Sequence, residues 1–141
     1  MEHQLVEFAS NHALLVAAFF AILAMLAWNL ITDPGAKGSV DPVGATELIN
    51  HQDAVILDVR PMADFQKGHI VNAINIPMNG LKKQLQQLER YKDRPIVVSC
   101  RSGAQSSVAV KLLKKHGFER AVNLRGGILA WQNANLPVTR R

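Results

Sequence analysis

The sequence predicts an α/β domain, a small parallel sheet flanked by helices, preceded by one transmembrane helix. Three observations carry that expectation. Between residues 45 and 137 short β-branched runs alternate with helical segments, residues 13–31 are apolar almost without interruption, and all 16 Lys and Arg residues follow Ile31. The chain of 141 residues is 48% hydrophobic and 19% charged, which supplies a core and excludes a disordered chain. Its single cysteine excludes a disulfide framework within the chain and any Cys-rich zinc site.

Residues 1–12 read as an N-terminal tail. Residues 13–31, ALLVAAFFAILAMLAWNLI, contain one polar side chain, Asn29. As a helix this run spans roughly 28 Å, close to the hydrocarbon thickness of a bilayer. Apolar residues occupy every face, so the run is not an amphipathic surface helix. Trp28 lies near its end, where an amphipathic ring suits the headgroup level. A cleaved signal peptide would carry a basic leading segment and a small-x-small site, and neither is found. No Lys or Arg precedes the run and Lys37 follows it, so the N-terminus is expected outside and the following domain in the cytoplasm. The lipid bilayer is thus an expected partner.

Residues 32–44, TDPGAKGSVDPVG, hold two prolines and three glycines and read as a linker reaching roughly 40 Å when extended. The domain then occupies residues 45–137, with a basic tail at 138–141. Residues 45–51 look helical. Residues 54–59, AVILDV, read as a buried strand, as do 73–76, closed by Pro77, and 96–99. Leu81, Leu85 and Leu88 recur at helical spacing and predict an amphipathic helix. Residues 106–116 predict a helix with Val108, Leu112 and Leu113 on one face and Gly117 as its stop. Residues 121–124 predict a last strand and 128–133 a last helix. Such alternation makes a mostly parallel sheet covered on both faces.

Chemistry is expected where the strand at 96–99 meets the following helix. Val97-Val98-Ser99-Cys100-Arg101-Ser102-Gly103-Ala104-Gln105-Ser106-Ser107 ends a strand, turns a short loop and starts a helix. Ligands bind at this edge of a parallel sheet. A loop wrapped ahead of a helix N-terminus aims backbone N–H groups at one point, and the helix dipole adds to them. Gly103 permits the backbone angles of such a wrap, and Ser106 and Ser107 are placed to cap the helix or donate to sulfur. A thiol so surrounded favours its thiolate. Most free cysteines are inert core, but the polar residues after Cys100 place this one at a strand end.

Taken in order, these residues resemble the rhodanese domain, a sulfurtransferase family. The resemblance covers nearly all of residues 41–137. It runs through Leu57-Asp58-Val59-Arg60, Phe65, Gly68-His69-Ile70, Ala73-Ile74-Asn75-Ile76-Pro77, the loop 100–105, and Gly126-Gly127-Ile128 with Trp131. With the leading helix, the whole looks like a membrane-anchored single-domain rhodanese of a bacterial inner membrane. The resemblance implies a catalytic Cys100 that takes sulfur from a small anionic donor such as thiosulfate. The resulting persulfide passes its sulfur to a thiol or protein acceptor, and no cofactor is implied. Arg101, Ser102, Gly103, Ala104, Gln105 and Ser106 would form the substrate-binding loop. Many family members carry Arg where this chain has Gln105, which implies an altered affinity for the donor.

The remaining matched positions read as structural. Asp58 and Arg60 enter the cleft or, the favoured reading, form a charge pair that fixes loops. His69 reads as packed or bonded to backbone, and Trp131 as core. Lys111, Lys114 and Lys115 form a solvated face with no interleaved aromatics, so no nucleic acid is expected. No spacing makes a metal site. A cysteine phosphatase would place Arg after five intervening residues, where this chain has Ser106, so a phosphoryl group would lack its bidentate partner. The competing reading from another class is a non-catalytic docking module acting on membrane proteins.

Overall fold

The computed structural model describes residues 1–32 and 38–141, and the chain divides into two compact units, Met1–Lys37 and Gly38–Arg141. In the first, the expected tail is a helix, α1 (Glu2–Asn11), and α2 (Ala13–Thr32) follows after a break at His12. The His12 ring stacks on Phe8 and its Nδ1 meets the Phe8 carbonyl at 3.2 Å, which closes α1. Among the described residues no single helix is long and apolar enough to cross a membrane. Glu2–Asn11 and Ala13–Asn29 reach that length and composition together, as a pair bent by 89°.

The expected linker contains regular structure in its second half. Residues 33–37 of it lie outside the described residues, whereas Ser39–Val40 form β1 and α3 (Pro42–Gln52) starts two residues later. Asp41 caps α3, its Oδ1 accepting from the Gly44 N–H at 2.7 Å, and Pro42 occupies the first turn. The prolines and glycines that read as tether are in part a helix start, since Pro suits a position whose N–H has no partner.

The strands β2 (Val55–Asp58), β4 (Ile74–Asn75), β5 (Ile96–Ser99) and β6 (Ala121–Leu124) lie where the apolar runs predict them. With β1 they form a five-stranded parallel sheet in the order β1-β6-β5-β2-β4. Every residue of β2 and β5 is buried, as expected of central strands covered on both faces. Alternation divides the core. Leu57, Val59, Ile96, Val98 and Cys100 face one layer, and Ile56, Val97 and Leu124 face the other with Ala45, Ile128 and Trp131. A separate antiparallel pair joins β3 (His69–Ile70) to β7 (Val138–Thr139), so half of the expected basic tail is strand.

The leucine-rich helix is 3-10 rather than α, over Met78–Tyr91, with a non-helical residue at Gln84. Met78 and Leu81 are three residues apart, and so are Leu85, Leu88 and Tyr91. A one-residue slip at Gln84 joins the two sets, so two 3-10 pieces of period three imitate an α period when read as one. The three leucines are buried and contribute about 2 kcal/mol each.

The helix after β5, α5 (Ala104–Lys115), begins two residues before the expected start and buries Ser106, Ala109, Val110 and Leu113. That set follows i, i+3, i+4, i+7, which leaves Val108 off the face and 56% exposed, contrary to expectation. Two further helices complete the unit. The short α4 (Met62–Lys67) precedes β3, and α6 (Gly127–Asn133) follows the Gly126-Gly127 turn.

Candidate active site

Cys100 is the first residue beyond β5, and its direction is set by strand alternation: it continues the face of Ile96 and Val98 beneath α5. The chain reverses over three residues and enters α5 through Gly103 at φ +100. A Cβ there would stand 3.3 Å from the Gly126 nitrogen and 3.5 Å from the Leu124 carbonyl. Glycine is therefore required twice, by conformation and by close approach.

The wrap brings donors onto the sulfur. Cys100 Sγ accepts from the Gly103 N–H at 3.0 Å and the Ser106 N–H at 3.4 Å, and lies 3.3 Å from Ser106 Oγ. Burial pushes the thiol pKa up. The Ser106 hydroxyl and the N–H groups of Ser106, Gly103 and Ser102 outweigh it, so the thiol lies below the ordinary cysteine value. No side chain caps α5, because Gly103 stands at the cap. Ser106 thus serves the sulfur rather than the helix end.

A second layer of backbone holds the loop from behind. The Ile128 N–H donates to the Cys100 carbonyl at 2.8 Å and the Leu129 N–H to the Arg101 carbonyl at 3.3 Å. Gly127, at φ +60, passes so close that a Cβ would collide with the Cys100 carbonyl and stand 2.7 Å from the Arg101 carbonyl oxygen. Asn123 on β6, which sequence reasoning missed, donates through Nδ2 to the Gly103 carbonyl at 3.2 Å and accepts at Oδ1 from Ser106 Oγ at 2.5 Å. Its signal is a polar residue inside an otherwise apolar strand, AVNL, opposite Val98 of β5.

A cleft of about 360 Å³ opens over Cys100, with Arg101, Ser102, Ala104 and Gln105 on one wall and Arg60, Pro61 and Asp64 on the other. Arg101, Ser102 and Gln105 are exposed, while Gly103 and Ser106 lie buried behind the sulfur. Asp58 is not at the cleft. Asp58 is 1% exposed, and its carboxylate pairs with Arg60, whose Nη2 donates to Asp58 Oδ2 at 2.8 Å and to the Gly68 carbonyl at 2.7 Å. The two residues form the loop-fixing charge pair, although Arg60 also borders the cleft. His69 is buried, stacked on Phe65 with centroids 3.6 Å apart, and its Nδ1 meets the Phe65 carbonyl. Trp131 is core, its Nε1–H donating to the Pro137 carbonyl at 2.9 Å.

Residues 42–134 match the rhodanese-like domain family. An uncharacterized Escherichia coli protein, YibN, is 34% identical over 139 residues, 97% of each chain, a span that takes in the N-terminal helices. A thiosulfate sulfurtransferase, GlpE, of Glaesserella parasuis is 30% identical over 99 residues, 70% of this chain and 90% of its own. Among solved structures, a rhodanese-related protein of Thermoplasma volcanium superposes with a TM-score of 0.67 at 32% identity, over 73% of this chain and 98% of that one.

Proposed function

The chain belongs to the rhodanese-like domain family, and from that premise we propose that it is a sulfurtransferase working through a persulfide on Cys100. The observation that carries this reading is the buried sulfur held by loop N–H groups at the floor of an open cleft. The Cys100 thiolate attacks the outer sulfur of thiosulfate. As the new S–S bond forms, the old one breaks and sulfite leaves with its electron pair. The loop amides that stabilised the thiolate then face the persulfide charge, as oxyanion-hole donors face a developing oxyanion. An acceptor thiolate attacks the terminal sulfur and forms its own persulfide, and Cys100 departs as thiolate. Exposed Arg101 at the rim and the net charge of +5 favour an anionic donor.

Incubation with thiosulfate, followed by intact-mass measurement, tests this step. A gain of about 32 Da, one sulfur atom, is expected on the native chain and none on Cys100→Ser. Loading of both proteins alike would overturn the assignment. Absence of any loading would leave the docking-module reading in its place.

The same proposal places the protein in the bacterial inner membrane as a single-pass chain, N-terminus outside and domain in the cytoplasm. Its support is the pair α1 and α2, which together reach the length and composition of a span, with Leu14, Phe20, Trp28 and Ile31 of α2 at 88, 63, 71 and 76% exposure and no Lys or Arg among residues 1–31. Retention in the pellet after alkaline carbonate washing is expected, and release into the supernatant would refute the anchor. A periplasm-specific reporter fused after Arg141 should stay silent.

A further inference from the structure

Once Cys100 ionises, Cys100, Ser106 and Asn123 form a chain with one proton too few. The Gly103 carbonyl can only accept, so the Asn123 group facing it at 3.2 Å is the NH₂, and Oδ1 is turned towards Ser106 Oγ. Ser106 Oγ carries a single proton and has two claimants, Asn123 Oδ1 at 2.5 Å and Cys100 Sγ at 3.3 Å. With Cys100 as the thiol every group is satisfied: the S–H donates to Ser106 Oγ, and Ser106 donates to Asn123. With Cys100 as the thiolate, the sulfur becomes a second acceptor. A hydroxyl turned to it leaves two oxygen lone pairs opposed at 2.5 Å.

The other donors to the sulfur are the backbone N–H groups of Gly103, Ser106 and Ser102. We infer that Asn123 is a positioning residue that competes with the Cys100 thiolate for the Ser106 hydroxyl proton and so holds the thiolate less stabilised than the loop alone would leave it. The functional sense lies in the trade between ionisation and reactivity. A thiolate loses nucleophilicity as its pKa falls, so partial withholding of one donor keeps the sulfur reactive while the amides keep it ionised. The inference rests on Cys100 being the working thiol, but its test requires only that Cys100 titrate.

Cys100 is the only cysteine of the chain, so the rate of iodoacetamide alkylation against pH, read by intact mass on the full-length protein, reports this thiol alone. The charged groups bordering its cleft, Arg60, Asp64 and Arg101, are common to every variant. Asn123→Ala should move the alkylation midpoint down by about one pH unit, since the freed hydroxyl turns to the thiolate. Ser106→Ala should shift the midpoint up more in the Asn123→Ala background than in the native one.

An unchanged or raised midpoint in Asn123→Ala, or a Ser106→Ala shift equal in both backgrounds, would show that Asn123 only anchors Gly103. Should Asn123→Ala not fold, Ser106→Ala alone decides. An upward shift of about one unit in the native background means that the proton already serves the sulfur, and a much smaller one supports the competition. Failure of sulfur loading would leave these midpoints intact. Coupling that fails while loading persists removes only the role of Asn123.

Discussion

The two central strands end side by side, Asp58 of β2 in register with Ser99 of β5, and their sequels are fixed by opposite means. After β2 the chain is tied by side chains. Asp58 accepts from the Arg60 backbone N–H and pairs with its guanidinium, Arg60 reaches the Gly68 carbonyl, and Asn75 Nδ2 donates to the carbonyls of Asp58 and Arg60. After β5 the chain is tied mostly by backbone, through Gly103, Gly127 and the N–H groups of Ile128 and Leu129. A turn held by side chains consumes their bonding capacity. A turn held by backbone leaves its functional side chain, here the Cys100 thiol, open to a ligand.

The largest expected effect strikes the first kind of turn. Arg60→Ala strands the buried Asp58 carboxylate and should destabilise the protein by about 3–5 kcal/mol in urea unfolding. The double change Asp58→Asn with Arg60→Met removes both charges and should recover most of that loss. If the single and double variants unfold alike, the turn is not held by this pair.

Next comes the backbone-held turn. Gly127→Ala puts a methyl group against the Cys100 and Arg101 carbonyls at a positive φ, with an expected loss of about 2–4 kcal/mol. Sulfur loading should fall even at temperatures where the variant is folded. A stable variant that loads normally would show that α6 does not brace the loop.

A smaller effect concerns ionisation. Because the folded-state thiol pKa lies below the ordinary value, the unfolded chain binds the proton more tightly. Folding stability should therefore rise with pH between the folded pKa and the ordinary thiol pKa, and lose this increment as pH falls through the folded one. Unfolding measured in Cys100→Ser across the same window should show no such rise.

The smallest effect is at the rim. Gln105 is exposed beside the cleft, so Gln105→Arg adds a partly solvated charge and should lower the KM for thiosulfate about fivefold, less at high salt. An unchanged KM at low salt would remove the electrostatic reading of this position.

Strands β2, β5 and β6 were readable because central parallel strands are short apolar runs whatever surrounds them, and the cysteine loop because it interrupts one of them with polar residues. The pair β3 and β7 was not, since His69 meets Thr139 across 70 positions of chain. The helix start at Asp41-Pro42 is masked in the sequence because proline and glycine mark both linkers and helix beginnings. Around the thiol, local reasoning found the donors within the loop and missed Asn123, whose part depends on a strand register that no neighbouring residue encodes.

The bracing of Cys100 by residues 123–129 has a consequence for the order of folding. If β5 and α5 form before β6 and α6 dock, the loop between them has none of these braces. Ser106 has then no Asn123, and the Cys100 and Arg101 carbonyls have no Ile128 or Leu129 N–H. The loop that positions Cys100 is therefore complete only once β6 and α6 are in place.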